Sequence, residues 1–140
     1  MSDPTYVGDI LLIEDNPGDV RLTHEMFTEA GMYGTHYVAN DGDDAVDFLH
    51  RRGDYGDAPR PNLILLDWYF PNTSGRTVLQ AIKRDASLQH IPVVVLTGVL
   101  SEFHDLQSEQ PGADAYVLKP IEPADLRRIV DEFSLGQELV

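Results

Sequence analysis

The fold is decided by the stretch Asn62-Leu63-Ile64-Leu65-Leu66-Asp67-Trp68-Tyr69-Phe70-Pro71. Its four consecutive apolar residues are typical of a strand buried on both faces, as in the centre of a parallel sheet. Pro71 prevents the strand from continuing. An ionised carboxylate without partners is costly to bury, so Asp67 is expected either in water or at the carboxyl edge of the sheet. Ligands bind at that edge in open parallel sheets.

Composition narrows the classes of protein that the chain can belong to. Its 140 residues suit one domain, and its lack of cysteine excludes disulfides and thiolate chemistry. There are 24 acidic and 10 basic residues, and the net charge of −14 argues against nucleic-acid binding. No apolar run is long enough for a membrane span, and the N-terminus lacks signal-peptide features, so a cytoplasmic location is expected. The acid excess favours either simple solubility or adaptation to high salt, as in a halophile.

Strand and helix patterns alternate along the whole chain. Short apolar runs predict strands at residues 10–13, 36–39, 63–66, 91–97 and 115–118. Helices are expected after Asn16-Pro17, after Asp41, from Gly75, over residues 101–110 up to Pro111-Gly112, and from Pro123. Five strands alternating with five helices predict an α/β protein whose parallel sheet is covered on both faces. We expect a single domain over residues 1–140, with a core of about 9–134 and no output domain.

Polar residues follow four of these strands, and parallel strands bring their carboxyl ends to one edge. These residues are Glu14, Asp15, Asp67, Thr97 and Lys119. Three carboxylates repel one another unless a cation is present, and Mg²⁺ favours oxygen ligands of this kind. A lysine and a hydroxyl beside them suit the transfer of a phosphoryl group onto a carboxylate.

In these motifs the chain resembles a receiver domain of a two-component response regulator, over essentially its whole length. The matching segments are Ile13-Glu14-Asp15, Asp67 with Pro71 and Gly75, Leu96-Thr97-Gly98, and Lys119-Pro120. The resemblance implies a flavodoxin-like, doubly wound sheet with strand order 2-1-3-4-5. Residues 58–61 and 91–97 further resemble single-domain regulators paired with cyanobacterial phytochromes.

The resemblance also implies a role for each site residue. Asp67 would accept a phosphoryl group from a sensor histidine kinase. Glu14, Asp15 and Asp67 would hold Mg²⁺ together with the backbone carbonyl of Tyr69. No organic cofactor is expected, and the protein would act as a signalling protein rather than an enzyme.

The remaining implied roles concern switching. Thr97 would bond one phosphoryl oxygen and Lys119 another, and a cis peptide would join Lys119 to Pro120. Tyr116 would be the aromatic switch that responds to Thr97. The switched surface would contact an unknown downstream protein, and a homodimer through the fourth helix, fifth strand and fifth helix is a further expectation.

Two residues depart from the pattern of many receivers. Tyr69, two positions after Asp67, is bulky, and Val99, two positions after Thr97, is apolar. We expect both to flank the phosphoryl group and to slow its hydrolysis. Pro111 is expected to shorten the fourth helix.

Other functions remain open from the residues alone. A phosphatase of the haloacid-dehalogenase kind also uses an aspartyl phosphate, but it needs a second Asp where Tyr69 stands. A flavin or nucleotide module would need a phosphate-binding loop after the first strand, where this chain has the acidic Glu14-Asp15. The fold could also serve as a scaffold or phosphate sink. Glu14 and Asp15 could merely precede a helix N-terminus, and the five histidines are expected to be surface or structural residues.

Overall fold

The structure is a computed structural model, and it describes residues 3–69, 74–108 and 112–136. Its strands are β1 Thr5–Ile13, β2 Met32–Ala39, β3 Leu63–Asp67, β4 Val93–Thr97 and β5 Ala115–Leu118. Its helices are α1 Pro17–Glu29, α2 Gly42–His50, α3 Gly75–Lys83, α4 Leu100–Leu106 and α5 Pro123–Glu132, and a short 3₁₀ turn covers Gly53–Tyr55. The predictions made for Pro71 and Pro111 lie outside the described residues.

The five strands form one parallel sheet with the order β2-β1-β3-β4-β5. The predicted fold class and strand order are therefore confirmed. Helices cover both faces of the sheet, which divides the buried apolar residues into two clusters. Alternate residues of β3 enter different clusters: Ile64 and Leu66 join one, and Leu63 and Leu65 join the other.

Strand β3 is buried along its whole length, as its apolar run predicts. Leu63, Ile64, Leu65 and Leu66 are each fully inaccessible to solvent. Burial of one such side chain stabilises the fold by about 1.5–3 kcal/mol relative to leaving it exposed. The strand is thus the centre of the fold, and it fixes Asp67 at the sheet edge.

Strand β1 starts earlier than its apolar run indicates. It begins at Thr5, and its pairing with β2 is interrupted between Tyr6 and Asp9. Gly8 lies there with a φ of +85°, which an L side chain rarely adopts, and a Cβ on it would clash with the Asn62 side chain. The bulge allows β1 to include the polar, glycine-containing segment that precedes its apolar run. Because β2 pairs with this added segment, β2 is also longer than its own apolar run indicates.

Helix α1 begins as its sequence predicts, with Asn16 as N-cap and Pro17 as first helical residue. The Asn16 Oδ1 accepts hydrogen bonds from the backbone N–H of Gly18 at 2.8 Å and of Asp19 at 3.2 Å. One turn further along the helix, the Thr23 hydroxyl donates to the Asp19 carbonyl at 2.9 Å. The first turn of α1 is therefore held firmly beside the carboxyl edge of the sheet.

One lysine joins elements at the opposite, amino edge of the sheet. The Lys83 Nζ, at the end of α3, donates to the carbonyls of Gln89 at 3.3 Å and Ile91 at 3.4 Å. It also donates to the Asp114 Oδ2 at 2.6 Å, and that oxygen accepts the Val93 N–H at 2.8 Å. This network ties the starts of β4 and β5 to α3.

Two histidines pack together between α1 and β2. The rings of His24 and His36 meet edge-on with centroids 4.4 Å apart, and Phe27 contacts His36 at 4.8 Å. Burial, and then the charge of His24, lower the pKa of His36 to about 4. Both rings therefore contribute to the packing between α1 and β2.

Candidate functional site

The register of the sheet brings the predicted site residues together. Ile13 lies opposite Leu66, so the residues that follow them, Glu14 and Asp67, are neighbours across the edge. On the other side of β3, Asp67 pairs with Leu96 of β4. Thr97 in turn pairs with Leu118, which places Lys119 at the same edge. Residues from four strand ends thus meet, although they are far apart in the sequence.

Three carboxylates form a cluster at this edge. Ligand oxygens of Glu14, Asp15 and Asp67 all lie within 4.8 Å of one another. Glu14 and Asp67 are 2% and 6% exposed, whereas Asp15 is exposed. Two buried carboxylates beside a third fit a hard divalent cation, which prefers oxygen ligands and retains bound water.

Lys119 is the cationic member of the site. Its Nζ lies 3.0 Å from the Glu14 Oε2, 3.1 Å from the Asp19 Oδ2 and 3.3 Å from the Asp67 Oδ1. The predicted proximity of Lys119 to Asp67 is therefore present. The peptide bond between Lys119 and Pro120 is cis, as the resemblance implies.

Asp19 is a member of this group that the sequence reasoning missed. It lies on the first turn of α1 rather than after a strand, and an acid there is ordinarily explained by the helix dipole. A signal was nevertheless present: Asn16-Pro17 fixes the start of α1, and with it the position of the residue two places after Pro17. That turn faces the carboxyl edge.

Burial and charge shift the pKa values of two groups in the site. Desolvation raises the pKa of Glu14 to about 7; the hydrogen bond from Lys119 opposes this shift and the charge of Asp67 adds to it. For Lys119, desolvation lowers the pKa, but the hydrogen bond to Glu14 and the charge of Asp67 outweigh it and hold the pKa above its ordinary value. Lys119 is therefore charged, and the site carries more negative than positive charge.

The two predicted switch residues lie on neighbouring strands. Thr97 is fully buried, and its Oγ1 accepts the Val99 N–H at 3.3 Å. Tyr116 is half-buried and packs against the core, and its hydroxyl accepts the Ala113 N–H at 2.8 Å. The tyrosine is thus held by core packing and by one hydrogen bond to its hydroxyl.

Tyr69 and Val99 both lie beside the site and are both exposed, at 56% and 43%. The backbone N–H of Tyr69 points to the Asp67 Oδ1 at 3.5 Å. Its hydroxyl donates to the Glu102 carboxylate on α4, a contact that sequence reasoning did not anticipate. The Tyr69 side chain therefore bridges from the end of β3 to α4.

In the part of the chain that the structure describes, no helix combines the length and the apolar character needed to cross a membrane. The predicted cytoplasmic location stays a prediction, as does the adaptation to high salt.

Comparison with known proteins agrees with this geometry. The family model of the response regulator receiver domain matches residues 10–131. The response regulator Rcp1 of Synechocystis sp. is 39% identical over 121 residues, which cover 86% of this chain and 82% of that protein.

Two solved structures are similar over most of their length. The Mn²⁺-bound form of Rcp1 has a TM-score of 0.74 and 35% identity, covering 98% of this chain and 99% of that one. The phosphorylated cyanobacterial phytochrome response regulator RcpA has a TM-score of 0.73 and 36% identity, covering 90% of each chain.

The match includes all the segments that converge at the sheet edge. It also separates the chain from the phosphatase and flavin-module alternatives that the residues alone left open. The chain is a member of the response regulator receiver domain family, the phosphoacceptor proteins of two-component signalling.

Proposed function

We propose that Asp67 is the residue that accepts the phosphoryl group, and that a sensor histidine kinase supplies it. The observation that carries this proposal is the position of the Asp67 carboxylate. It lies 3.3 Å from the Lys119 Nζ and within 4.8 Å of the oxygens of Glu14 and Asp15. A nucleophile, a fixed cation and a set of metal ligands therefore share one small volume.

The reaction exchanges one bond at phosphorus for another. An Asp67 carboxylate oxygen forms a bond to phosphorus, while the bond from phosphorus to the imidazole nitrogen of the phosphohistidine breaks. The electron pair stays on that nitrogen, which takes up a proton. Lys119 stabilises the negative charge on the phosphoryl oxygens, and the Thr97 hydroxyl donates to one of them after it turns from its present bond with Val99.

The carboxylate cluster fits a divalent cation, and we propose Mg²⁺. Glu14, Asp15 and Asp67 offer oxygen ligands. The backbone carbonyl of Tyr69 would be the fourth ligand from the protein. Bound there, Mg²⁺ supplies charge that offsets the repulsion between the carboxylates and the phosphoryl group. A Mn²⁺-bound form of the related Rcp1 has been crystallised, which supports the binding of a divalent ion by this chain.

The conformational effect of phosphorylation would be transmitted through Thr97 and Tyr116. When Thr97 moves toward the phosphoryl group, we expect Tyr116 to exchange its bond with Ala113 for a new packing position. Tyr116 and Phe103 of α4 both line a groove of about 470 Å³ that continues along β5 to Arg128 of α5. We propose that this face contacts the downstream protein, and that a homodimer would use the same face.

The names of the similar proteins suggest the type of kinase. RcpA is described as a cyanobacterial phytochrome response regulator, and its solved structure is phosphorylated. By analogy we propose that the partner of this chain is a phytochrome-like sensor histidine kinase, and that the protein signals through contacts rather than as an enzyme.

Intact-mass measurement tests the acceptor. The protein is incubated with Mg²⁺ and acetyl phosphate, and the fraction that gains one phosphoryl group is recorded. We expect a clear phosphorylated fraction in the parent and none in Asp67→Asn. The matched control, Asp57→Asn, removes an exposed loop acid and should behave as the parent does. Phosphorylation of Asp67→Asn to the parent level would assign the acceptor to another residue.

A further inference from the structure

The Lys119 ammonium is shared among three carboxylates. An ammonium has three N–H donors and no acceptor. Here the Glu14, Asp19 and Asp67 oxygens lie at 3.0, 3.1 and 3.3 Å from it. Lys119 donates hydrogen bonds to Glu14 and Asp19 and lies at ion-pair distance from Asp67. A phosphoryl oxygen that approaches Lys119 therefore competes with these carboxylates for its N–H groups.

The three carboxylates differ in the free-energy cost of losing their contact with Lys119. The Glu14 side chain is 2% exposed and that of Asp67 is 9% exposed, whereas that of Asp19 is 43% exposed. A buried carboxylate that loses its cation is left poorly solvated, but a half-exposed one is hydrated by water. Asp19 is therefore the partner that Lys119 can release at the lowest cost.

The position of Asp19 is not explained by helix capping. An acid at the third helical position ordinarily accepts a hydrogen bond from the N–H of the N-cap residue. In this chain the N–H of Asn16 donates to the Glu14 Oε1 at 3.2 Å instead. The Asp19 carboxylate is directed to Lys119, while its backbone is fixed by Asn16 and Thr23.

We propose that Asp19 is a positioning residue that competes with the phosphoryl group for Lys119. This inference rests on the proposed function, because it takes Lys119 as the group that binds phosphoryl oxygens. In the resting protein Asp19 holds the ammonium between α1 and the sheet edge. Asp19 thereby lowers the affinity of the site for phosphoryl donors and sets how readily Asp67 is phosphorylated.

The substitution Asp19→Asn removes the charge and keeps the shape. We expect phosphorylation by acetyl phosphate to become about three- to tenfold faster, as expected for the loss of a partly exposed competing ion pair. Beryllofluoride binding is followed by tryptophan fluorescence at fixed fluoride and Mg²⁺. The beryllium concentration that gives half of the maximal fluorescence change should fall by a similar factor.

A matched control is available on the next helix. Asp44 is the acid at the third position of α2, after its N-cap Asp41. Asp44→Asn removes the same unit of charge and the same helix-dipole contact, but it leaves Lys119 and its partners intact. Its phosphorylation rate should equal that of the parent. Asp19→Ser provides a second variant if Asp19→Asn unfolds.

A second readout follows Lys119 itself. The chain has two lysines, Lys83 and Lys119. Protein labelled at lysine therefore gives two sets of side-chain NMR signals, and the variant Lys83→Met assigns them. Asp19→Asn should shift the Lys119 signals and leave those of Lys83 in place.

The outcomes separate this inference from the proposed function. The proposal that Asp19 competes for Lys119 would be overturned if Asp19→Asn and Asp19→Ser were phosphorylated no faster than the parent. Unshifted Lys119 signals in Asp19→Asn would also overturn it. A parent that acetyl phosphate and beryllofluoride both leave unchanged would instead overturn the proposed function, and the NMR comparison would still test the contact between Asp19 and Lys119.

Discussion

The two lysines of the chain lie at opposite edges of the same sheet, in surroundings of opposite character. At the amino edge Lys83 meets one carboxylate, Asp114, and two backbone carbonyls. At the carboxyl edge Lys119 meets three carboxylates, and the exposed Asp15 adds a fourth to the cluster. The first group is balanced in charge and the second carries an excess of negative charge.

This difference separates a structural ion pair from a site prepared for a ligand. A balanced pair with well-placed acceptors stabilises the protein as it stands. Carboxylates in excess destabilise the empty site, and a metal ion relieves that cost when it binds. Local instability of this kind is typical of functional sites.

Replacing each lysine by methionine should give the largest difference in phosphorylation rate between the two edges. Lys119→Met should slow phosphorylation by about a hundredfold or more, because it removes the fixed cation for the phosphoryl oxygens. Lys83→Met should leave the phosphorylation rate at the parent value. The measurement is the rate of phosphorylation by acetyl phosphate with Mg²⁺.

Stability measurements test the structural role of the Lys83 ion pair. Lys83→Met is expected to lower the free energy of unfolding by about 1–3 kcal/mol, because the Asp114 carboxylate and two carbonyls lose their donor. Urea unfolding of both variants measures this loss. If Lys83→Met slowed phosphorylation as much as Lys119→Met, the division between the two edges would be wrong.

Removing one acid from each edge should change the stability in opposite directions. The pKa of Glu14 in the folded, metal-free protein is about 7, above its ordinary value of 4.5. Its contribution to stability is therefore fully present below pH 4.5 and is lost as the pH rises through 7. At pH 8 in the presence of a chelator, Glu14→Gln should be more stable than the parent by about 1–3 kcal/mol, and the difference should vanish near pH 4.5.

Asp114→Asn is the matched change at the amino edge. It weakens the bonds from Lys83 and from the Val93 N–H, so it should lower the stability at pH 8 by about 1–2 kcal/mol. Unfolding curves from pH 4.5 to pH 8 record both differences. A loss of stability in Glu14→Gln at pH 8 would show that the empty carboxyl edge is not destabilised by its charge.

The smallest expected effect concerns water access at the carboxyl edge. Tyr69→Asn removes the side chain that bridges from the end of β3 to Glu102 on α4. Water should then reach the phosphoryl group more easily, and the decay of phosphorylated protein should become about two- to tenfold faster. The decay is followed after removal of the donor, with Tyr33→Asn, an exposed tyrosine on β2, as the control. Decay at the parent rate or slower would remove Tyr69 from this role.

Much of the fold could be predicted because its signals are local. The apolar run before Asp67 identifies a central strand, and Asn16-Pro17 fixes the start of α1. Glu14 and Lys119 were placed beside Asp67 because each follows a strand of a parallel sheet, and parallel strands end at one edge.

The features that were missed depend on contacts between distant segments. The early start of β1 is hidden by Gly8, whose bulge makes sense only with Asn62 beside it. Asp19 lies on a helix, so no rule about strand ends places it near Lys119. The pairing of Lys83 with Asp114 joins residues 31 positions apart, and neither residue lies in a recognisable motif.

Trp68 provides the most direct measurement of the central claim. It is the one tryptophan of the chain, it is 7% exposed, and it follows Asp67. Its fluorescence should change when Mg²⁺ is added and change again with beryllofluoride, and the second change should be absent in Asp67→Asn. An unresponsive parent, or an Asp67→Asn variant that responds to beryllofluoride as the parent does, would contradict the assignment of Asp67 as the phosphoacceptor.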